Sequence, residues 1–129
     1  MSQTNYEPLI GPTTALINQD TEMGAAMQPD QFQGPTLDGS AASQLSTTSK
    51  RFKLAEIYGY KATSDSGAPT DNTGNVWLGF KVDGVLHLTD LIEPGAYVII
   101  HPPEFGTDDL QDLWIWGGTA SDSAFVRYN

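Results

Sequence analysis

The chain of 129 residues contains no cysteine, which excludes disulfide bonds, thiol nucleophiles and thiolate metal sites. Basic residues are also few, because six Lys and Arg stand against 16 Asp and Glu, for a net charge of −10. Nucleic-acid phosphates and anionic membrane surfaces are both bound by clustered Lys and Arg. The composition therefore predicts a protein whose partner is neither nucleic acid nor membrane.

Long apolar runs are absent as well. None approaches the roughly 20 residues that a membrane-spanning helix requires. The first ten residues, MSQTNYEPLI, lack the basic and then apolar order of a secretory signal. We therefore expect the chain to fold without oxidation and to be made in the cytosol, either to act there or to be assembled there into a larger particle.

Residues 1–49 and residues 50–129 differ in composition. The first part has no Lys or Arg, four prolines and two of the thirteen aromatic residues, and it shows no sustained hydrophobic period. We predict an extended, non-globular acidic arm that is either disordered or ordered against a partner, with a helix over residues 13–27 as a further alternative. Its apolar clusters, which could contact a partner, contain Tyr6, Leu9, Ile10, Leu16 and Ile17.

Residues 50–129 carry strand signals at close spacing, with no helix-length pattern between them. The stretch NVWLGFKV alternates, and Asp83-Gly84 is a two-residue hairpin signal that joins it to VLHLTDL. The stretch RFKLAEIYGYKA places Phe52, Leu54, Tyr58 and Tyr60 in one register. Together with AYVIIH, LWIWG and AFVRYN, these segments predict a small antiparallel sandwich or barrel, similar to a jelly roll.

Three tryptophans are expected on the outward side of these strands. If Val76 and Leu78 face the core, Trp77 faces away, and Trp114 and Trp116 do the same on their own strand. Large exposed apolar groups mark contact surfaces. Three interpretations remain open: both faces of the sheet are core, the tryptophans form a protein interface, or they form a platform on which sugar rings stack.

No catalytic motif accompanies these strands. The two histidines, His87 and His101, are fourteen residues apart and lack the usual spacing of metal ligands in cupin barrels. Acidic loops around Asp71 and Asp108 do not follow the spacing of a calcium loop. We therefore expect no enzymatic activity, no cofactor and no bound metal.

Four segments form a recurring order of turn and strand: DNTGNVWLGF, IEPGAYVII, DLQDLWIWGG and SAFVRYN. In this order residues 70–129 resemble small β-rich virion proteins of tailed bacteriophages, of the capsid-decoration, head-fibre or minor structural type. The resemblance implies a structural and binding role in the virion, with the major capsid (coat) protein as partner and with a homo-oligomeric state.

The sequence thus predicts a decoration or cement protein of a phage capsid, with an acidic arm over 1–49 and a β domain over 50–129. The alternative is a carbohydrate-binding or receptor-binding fibre-tip module. In both cases the expected contact residues include Trp77, Trp114 and Trp116.

Overall fold

The computed structural model describes residues 30–62 and 69–129, and its β domain runs from Gln31 to Arg127. The regular structure of these residues is strand, apart from one 3-10 turn at Leu110–Asp112, and the predicted all-β fold is confirmed. No helix of the described residues is long and apolar enough to cross a membrane. The strands are β1 (Asp30–Gln33), β2 (Ser43–Gln44), β3 (Ala55–Tyr58), β4 (Tyr60–Lys61), β5 (Thr70–Asp71), β6 (Val76–Val82), β7 (Val85–Ile92), β8 (Tyr97–Ile100), β9 (Leu113–Gly117) and β10 (Phe125–Tyr128).

Eight of these strands form two four-stranded sheets. Sheet I has the order β1-β10-β3-β8 and sheet II has the order β2-β9-β6-β7, while β4 and β5 form a separate two-stranded ladder. Among the eight strands of the two sheets, the β6–β7 hairpin stays within sheet II. Each other step along the chain passes from one sheet to the other, and the step from β3 to β6 does so by way of the ladder. This order of two antiparallel sheets is that of a jelly roll, as the sequence predicted.

The hairpin between β6 and β7 follows from its turn residues. Val82 pairs with Val85 across a two-residue turn, in which Asp83 has a φ of 51° and Gly84 a φ of 79°. Two positive φ values are typical of the type I′ turn, whose twist matches that of the flanking strands. The Asp-Gly signal therefore fixes the register of the two longest strands of sheet II.

The core lies on the inward side of both sheets. Alternate residues of β3, β6 and β9 contribute to it, because successive side chains of a strand point to opposite faces. The buried apolar side chains include Ala55, Ile57, Ile100 and Val126 from sheet I, and Val76, Leu78, Ile92, Leu113 and Ile115 from sheet II.

The predicted boundary at residue 50 is wrong for residues 30–49. These residues include β1 and β2, and the side chains of Leu37 and Leu45 are only 2% and 1% exposed. The backbone N–H of Leu37 donates to the carbonyl of Asp122, and that of Leu45 donates to the carbonyl of Leu113. Single leucines in a polar stretch show no hydrophobic period, so their place in the core could not be predicted from the sequence. Residues 1–29 of the predicted arm lie outside the described residues.

The register expected for RFKLAEIYGYKA also needs correction. Strand β3 starts only at Ala55, so Phe52 and Leu54 precede it, and Tyr60 belongs to the separate ladder. The inward residues of β3 are Ala55 and Ile57, whereas Tyr58 faces outward. Phe52 is nevertheless buried, at 5% exposure, but it joins the core from the segment before β3 and not from the register of Tyr58.

A buried polar network fixes the loop that leads into β6. The side-chain amide of Asn72 donates to the carbonyl of Ser123 over 2.6 Å and accepts from the Ser123 N–H over 3.0 Å. The carboxylate of Asp122 accepts from the N–H groups of Thr73 and Gly74, over 2.8 Å and 2.7 Å. The turn composition of DNTGN is therefore explained by its contacts with the turn before β10.

Candidate functional site

The structure places the three tryptophans on the outward side of sheet II. In β6 the side chains of Val76 and Leu78 are fully buried, and Trp77 between them is half-buried. In β9 the half-buried Trp114 and Trp116 alternate with buried residues in the same way. The orientation that the alternation predicted is thus observed, and the interpretation in which the tryptophans are simply core is disfavoured.

Strand pairing brings the outward residues into rows across the sheet. Residues that are paired across antiparallel strands point to the same face. One row joins Leu91, Trp77 and Trp116, and a second joins Leu88, Gly79, Trp114 and Gln44. A third row pairs Lys81 with Leu86. We call the six large apolar residues of these rows the tryptophan face: Trp77, Trp114, Trp116, Leu86, Leu88 and Leu91.

The centre of this face depends on a glycine. The pairing of β6 with β7 shifts after Leu78, which lies opposite Asp90, whereas Gly79 lies opposite Leu88. A Cβ atom at position 79 would lie 2.0 Å from the carbonyl oxygen of His87. No larger residue fits so close to the neighbouring backbone, and the sheet accommodates one additional residue of β7 at this point.

The additional residue is Thr89, and it decides which leucines face outward. Leu88 and Leu91 are three positions apart and would lie on opposite faces of a regular strand. The β-bulge between them absorbs one position, so both belong to the tryptophan face. The three leucines could not be assigned to one face from the sequence, because the period of two fails between Leu88 and Leu91, although a glycine within a strand is a known sign of a bulge.

Two of the indole rings are held by polar contacts. The ammonium of Lys81 lies 3.8 Å from the ring centroid of Trp114, within the range of a cation–π interaction. The indole N–H of Trp116 donates to the backbone carbonyl of Ser40 over 2.8 Å. A side chain that is already fixed loses less conformational freedom on binding, so these contacts prepare the face for a partner.

A groove of about 500 Å³ adjoins the Trp114 end of the face. Its lining combines aromatic rings with polar groups and includes Lys81, Phe105, Gln111, Asp112 and Trp114. The Phe105 ring is fixed in the lining by stacking on Phe80, at a centroid distance of 5.7 Å.

Sheet I has an aromatic cluster on its own outward side, which the sequence did not predict. The ring of Tyr58 lies 5.2 Å from that of Tyr60, 5.1 Å from that of Tyr97 and 6.4 Å from that of Phe125, between centroids. The Tyr58 hydroxyl donates to the Glu56 carboxylate over 2.7 Å. Burial, and then the hydrogen bond to Glu56, raises the pKa of Tyr58 from 10.0 to about 12.

This raised pKa predicts a late step in an alkaline titration. Absorbance of tyrosinate in the near ultraviolet should show one tyrosine ionising near pH 12, and Tyr58→Phe should remove that step. Because the pKa of the folded state lies above that of the unfolded state, the associated stability is present below pH 10 and is lost between pH 10 and pH 12. An unchanged titration of the Tyr58→Phe variant would contradict the contacts described for this ring.

The remaining candidates from the sequence are dispersed. Tyr6, Leu9, Ile10, Leu16 and Ile17 lie outside the described residues. The His87 ring stacks on Phe80 at the β6–β7 hairpin, and His101 is exposed beyond the end of β8. Asp71 is exposed at the end of β5, and Asp108 forms an exposed ion pair with Arg51. Within residues 30–62 and 69–129 no group of three or more His, Asp or Glu is placed to hold a metal ion.

Comparison with known proteins assigns no family: no protein-family model matches the chain, and no curated protein matches it. The fold and the tryptophan face are therefore the observations from which a function can be inferred.

Proposed function

We propose that this protein is a structural component of a bacteriophage virion, a decoration or cement protein that binds the coat lattice. The observation that carries this proposal is the tryptophan face on the outward side of sheet II. Two further features support it. Jelly rolls are a recurrent architecture of viral capsid domains, and residues 70–129 resemble small virion proteins in their order of turns and strands.

The tryptophan face has the composition of a protein-binding surface. Large contiguous apolar patches are rare on monomeric proteins and mark interaction sites. Tryptophan is enriched among the residues that dominate binding energy, and charged residues are depleted at the centre of interfaces. In the three rows of the face the charged side chain is Lys81, and it lies over the Trp114 ring rather than standing apart in solvent. The face is therefore suited to an apolar protein partner.

Binding of this kind is sufficient for a cementing role. A ligand that binds only the expanded coat lattice stabilises that state by mass action, by about 2.7 kcal/mol per site when its free concentration is 100 times the Kd. Many copies on one particle multiply this effect. The protein needs no catalytic group for this function, only a surface complementary to the expanded lattice.

A carbohydrate-binding or receptor-binding fibre-tip module is the second candidate. The mixed aromatic and polar lining of the groove beside Trp114 favours it. The position of Lys81 argues against it, because its ammonium occupies a face of the Trp114 ring on which a sugar would stack. The protein-binding function is therefore preferred.

Purified particles of the phage that encodes the chain provide the test. Mass spectrometry should find the chain at a fixed ratio to the coat protein. Expanded capsids that lack the chain should bind the purified protein, and unexpanded precursors should bind it at least about tenfold more weakly. Absence of the chain from the particles, or equal binding to both forms, would contradict the proposal. Binding to a glycan array without binding to capsids would support the fibre-tip candidate instead.

A further inference from the structure

We infer that β7 pairs with β7 of a second copy of the chain, antiparallel and about a two-fold axis, so that sheet II continues across two protomers. This inference goes beyond the proposed function, because it concerns self-association and holds whatever the larger partner is. It specifies the surface, the strand and the register of the pairing.

Strand β7 is an edge strand that is suited to pairing. It lies at the end of the order β2-β9-β6-β7, and within residues 30–62 and 69–129 no strand pairs with its other side. It has eight residues, VLHLTDLI, whereas the opposite edge of the sheet, β2, has two. Edge strands that must stay single are usually short or carry lysine or proline. Strand β7 is long and contains neither lysine nor proline. Its bulge at Thr89 and its inward-facing Asp90, which can also protect an edge, are both accommodated in the pairing described below.

The exposed apolar side chains gather at the same side of the sandwich. Among the described residues the large hydrophobic side chains with the highest exposure lie on β7, on the end of β6 beside it, or on β8, the corresponding edge of sheet I. Leu91 is 40% exposed and Val85 is 58% exposed. The full set is Val82, Val85, Leu91, Tyr97 and Ile99. A second copy that covers this side would bury apolar surface that the protomer leaves in solvent.

The sequence of β7 is complementary to itself when two copies run antiparallel. A pairing centred between Leu88 and Thr89, at the bulge, places Leu86 opposite Leu91 of the second copy, and His87 opposite its Asp90. Leu86 and Leu91 both face outward, whereas His87 and Asp90 both face the other side, because the bulge absorbs one position between them. Each pair occurs twice in the dimer. Hydrogen-bonded polar pairs and apolar pairs across antiparallel strands are both stabilising.

The dimer would join the two tryptophan faces into one surface. Leu86, Leu88 and Leu91 of each face lie on β7 itself, so the faces would meet across the two-fold axis. A dimer with two copies of the face can bind two sites of a repeating partner such as a lattice. Once the first site is bound, the second contact forms at a raised effective concentration. The net charge of −10 per chain opposes association, and this repulsion is screened at physiological ionic strength.

A charge exchange tests the register directly. At micromolar concentration and physiological salt, sedimentation equilibrium of the full chain should give twice its mass of 13.9 kDa. His87→Glu and Asp90→Lys should each raise the dimer Kd at least about tenfold, because the first places two carboxylates opposite one another and the second removes the carboxylate that lies opposite His87. The double variant should restore the dimer. Thr36→Glu adds the same charge at an exposed position away from β7 and should have no effect.

Crosslinking provides a second readout that does not depend on the stability of these variants. The chain has no cysteine, so Thr89→Cys introduces a single thiol close to the proposed two-fold axis. Mild oxidation should convert this variant to a covalent dimer, whereas Thr36→Cys should stay monomeric. The inference would be overturned by any one of three results: a monomeric wild-type chain, single charge variants that dimerise normally, or equal crosslinking at both positions. Self-association and capsid binding are measured separately. A chain that does not dimerise can still bind capsids, and a chain that does not bind capsids can still dimerise, so the two proposals are distinguishable.

Discussion

Replacement of Trp77 by alanine is expected to leave the β domain folded and to weaken binding to the coat lattice by about 30-fold or more, which corresponds to about 2 kcal/mol. Trp77 lies in the middle of a row, between Leu91 and Trp116, where a partner would exclude water most completely. The effect on folding should be smaller than that of removing a fully buried side chain, because Trp77 keeps part of its surface exposed in the protomer. Binding to immobilised expanded capsids and thermal unfolding measure the two quantities.

The neighbouring residue of the same strand supplies the control. Leu78 is fully buried on the inward side, and Leu78→Ala should cost about 2–5 kcal/mol of folding free energy. If Trp77→Ala destabilises the domain to the same extent, the tryptophan is core and the binding-face interpretation fails. If it binds capsids normally and loses only binding to oligosaccharides, the fibre-tip candidate is correct.

The second large effect is expected at Asp122. Its carboxylate is fully buried, accepts hydrogen bonds from the N–H groups of Thr73 and Gly74, and lies 3.9 Å from the ammonium of Lys61. Asp122→Ala leaves the two N–H groups without their acceptor, and the expected loss of unfolding free energy is about 3 kcal/mol. Denaturation in urea measures it. The loop before β6 should also become more accessible to hydrogen exchange.

Asp38 offers a matched control for this substitution. Its carboxylate also accepts two backbone hydrogen bonds, from Ser40 and Ala41, but it is exposed to solvent. Water can replace that acceptor when the side chain is removed, so Asp38→Ala should destabilise the domain far less than Asp122→Ala. Equal losses for the two variants would mean that burial of Asp122 is not the cause of its effect.

Much of sheet II could be predicted from sequence because its strands follow simple local rules. The alternation of NVWLGFKV and LWIWG gives the inward and outward sides of β6 and β9, and thereby the orientation of the three tryptophans. The Asp83-Gly84 turn gives the hairpin partner of β6. These features depend on residues close in sequence, so a single chain is sufficient to recognise them.

The remaining features depend on contacts between distant segments. Leu37 and Leu45 complete the core from a polar stretch, and only the fold brings them against strands that lie far along the chain. The leucines of the tryptophan face follow from the bulge opposite Gly79, which is a property of the pairing and not of β7 alone. The aromatic cluster around Tyr58 joins residues from several strands in the same way.

Hydroxyl-radical footprinting of the chain, free and bound to expanded capsids, tests the central claim most directly. The three tryptophans of the chain all belong to the tryptophan face, so their oxidation reports on that surface alone. Binding should lower the oxidation of Trp77, Trp114 and Trp116 several-fold, while Tyr97, which lies on the outward side of sheet I, should stay as reactive as in the free protein. The assignment of this face as the binding surface would be contradicted if the tryptophans are oxidised equally in the free and the bound chain while Tyr97 becomes protected on binding.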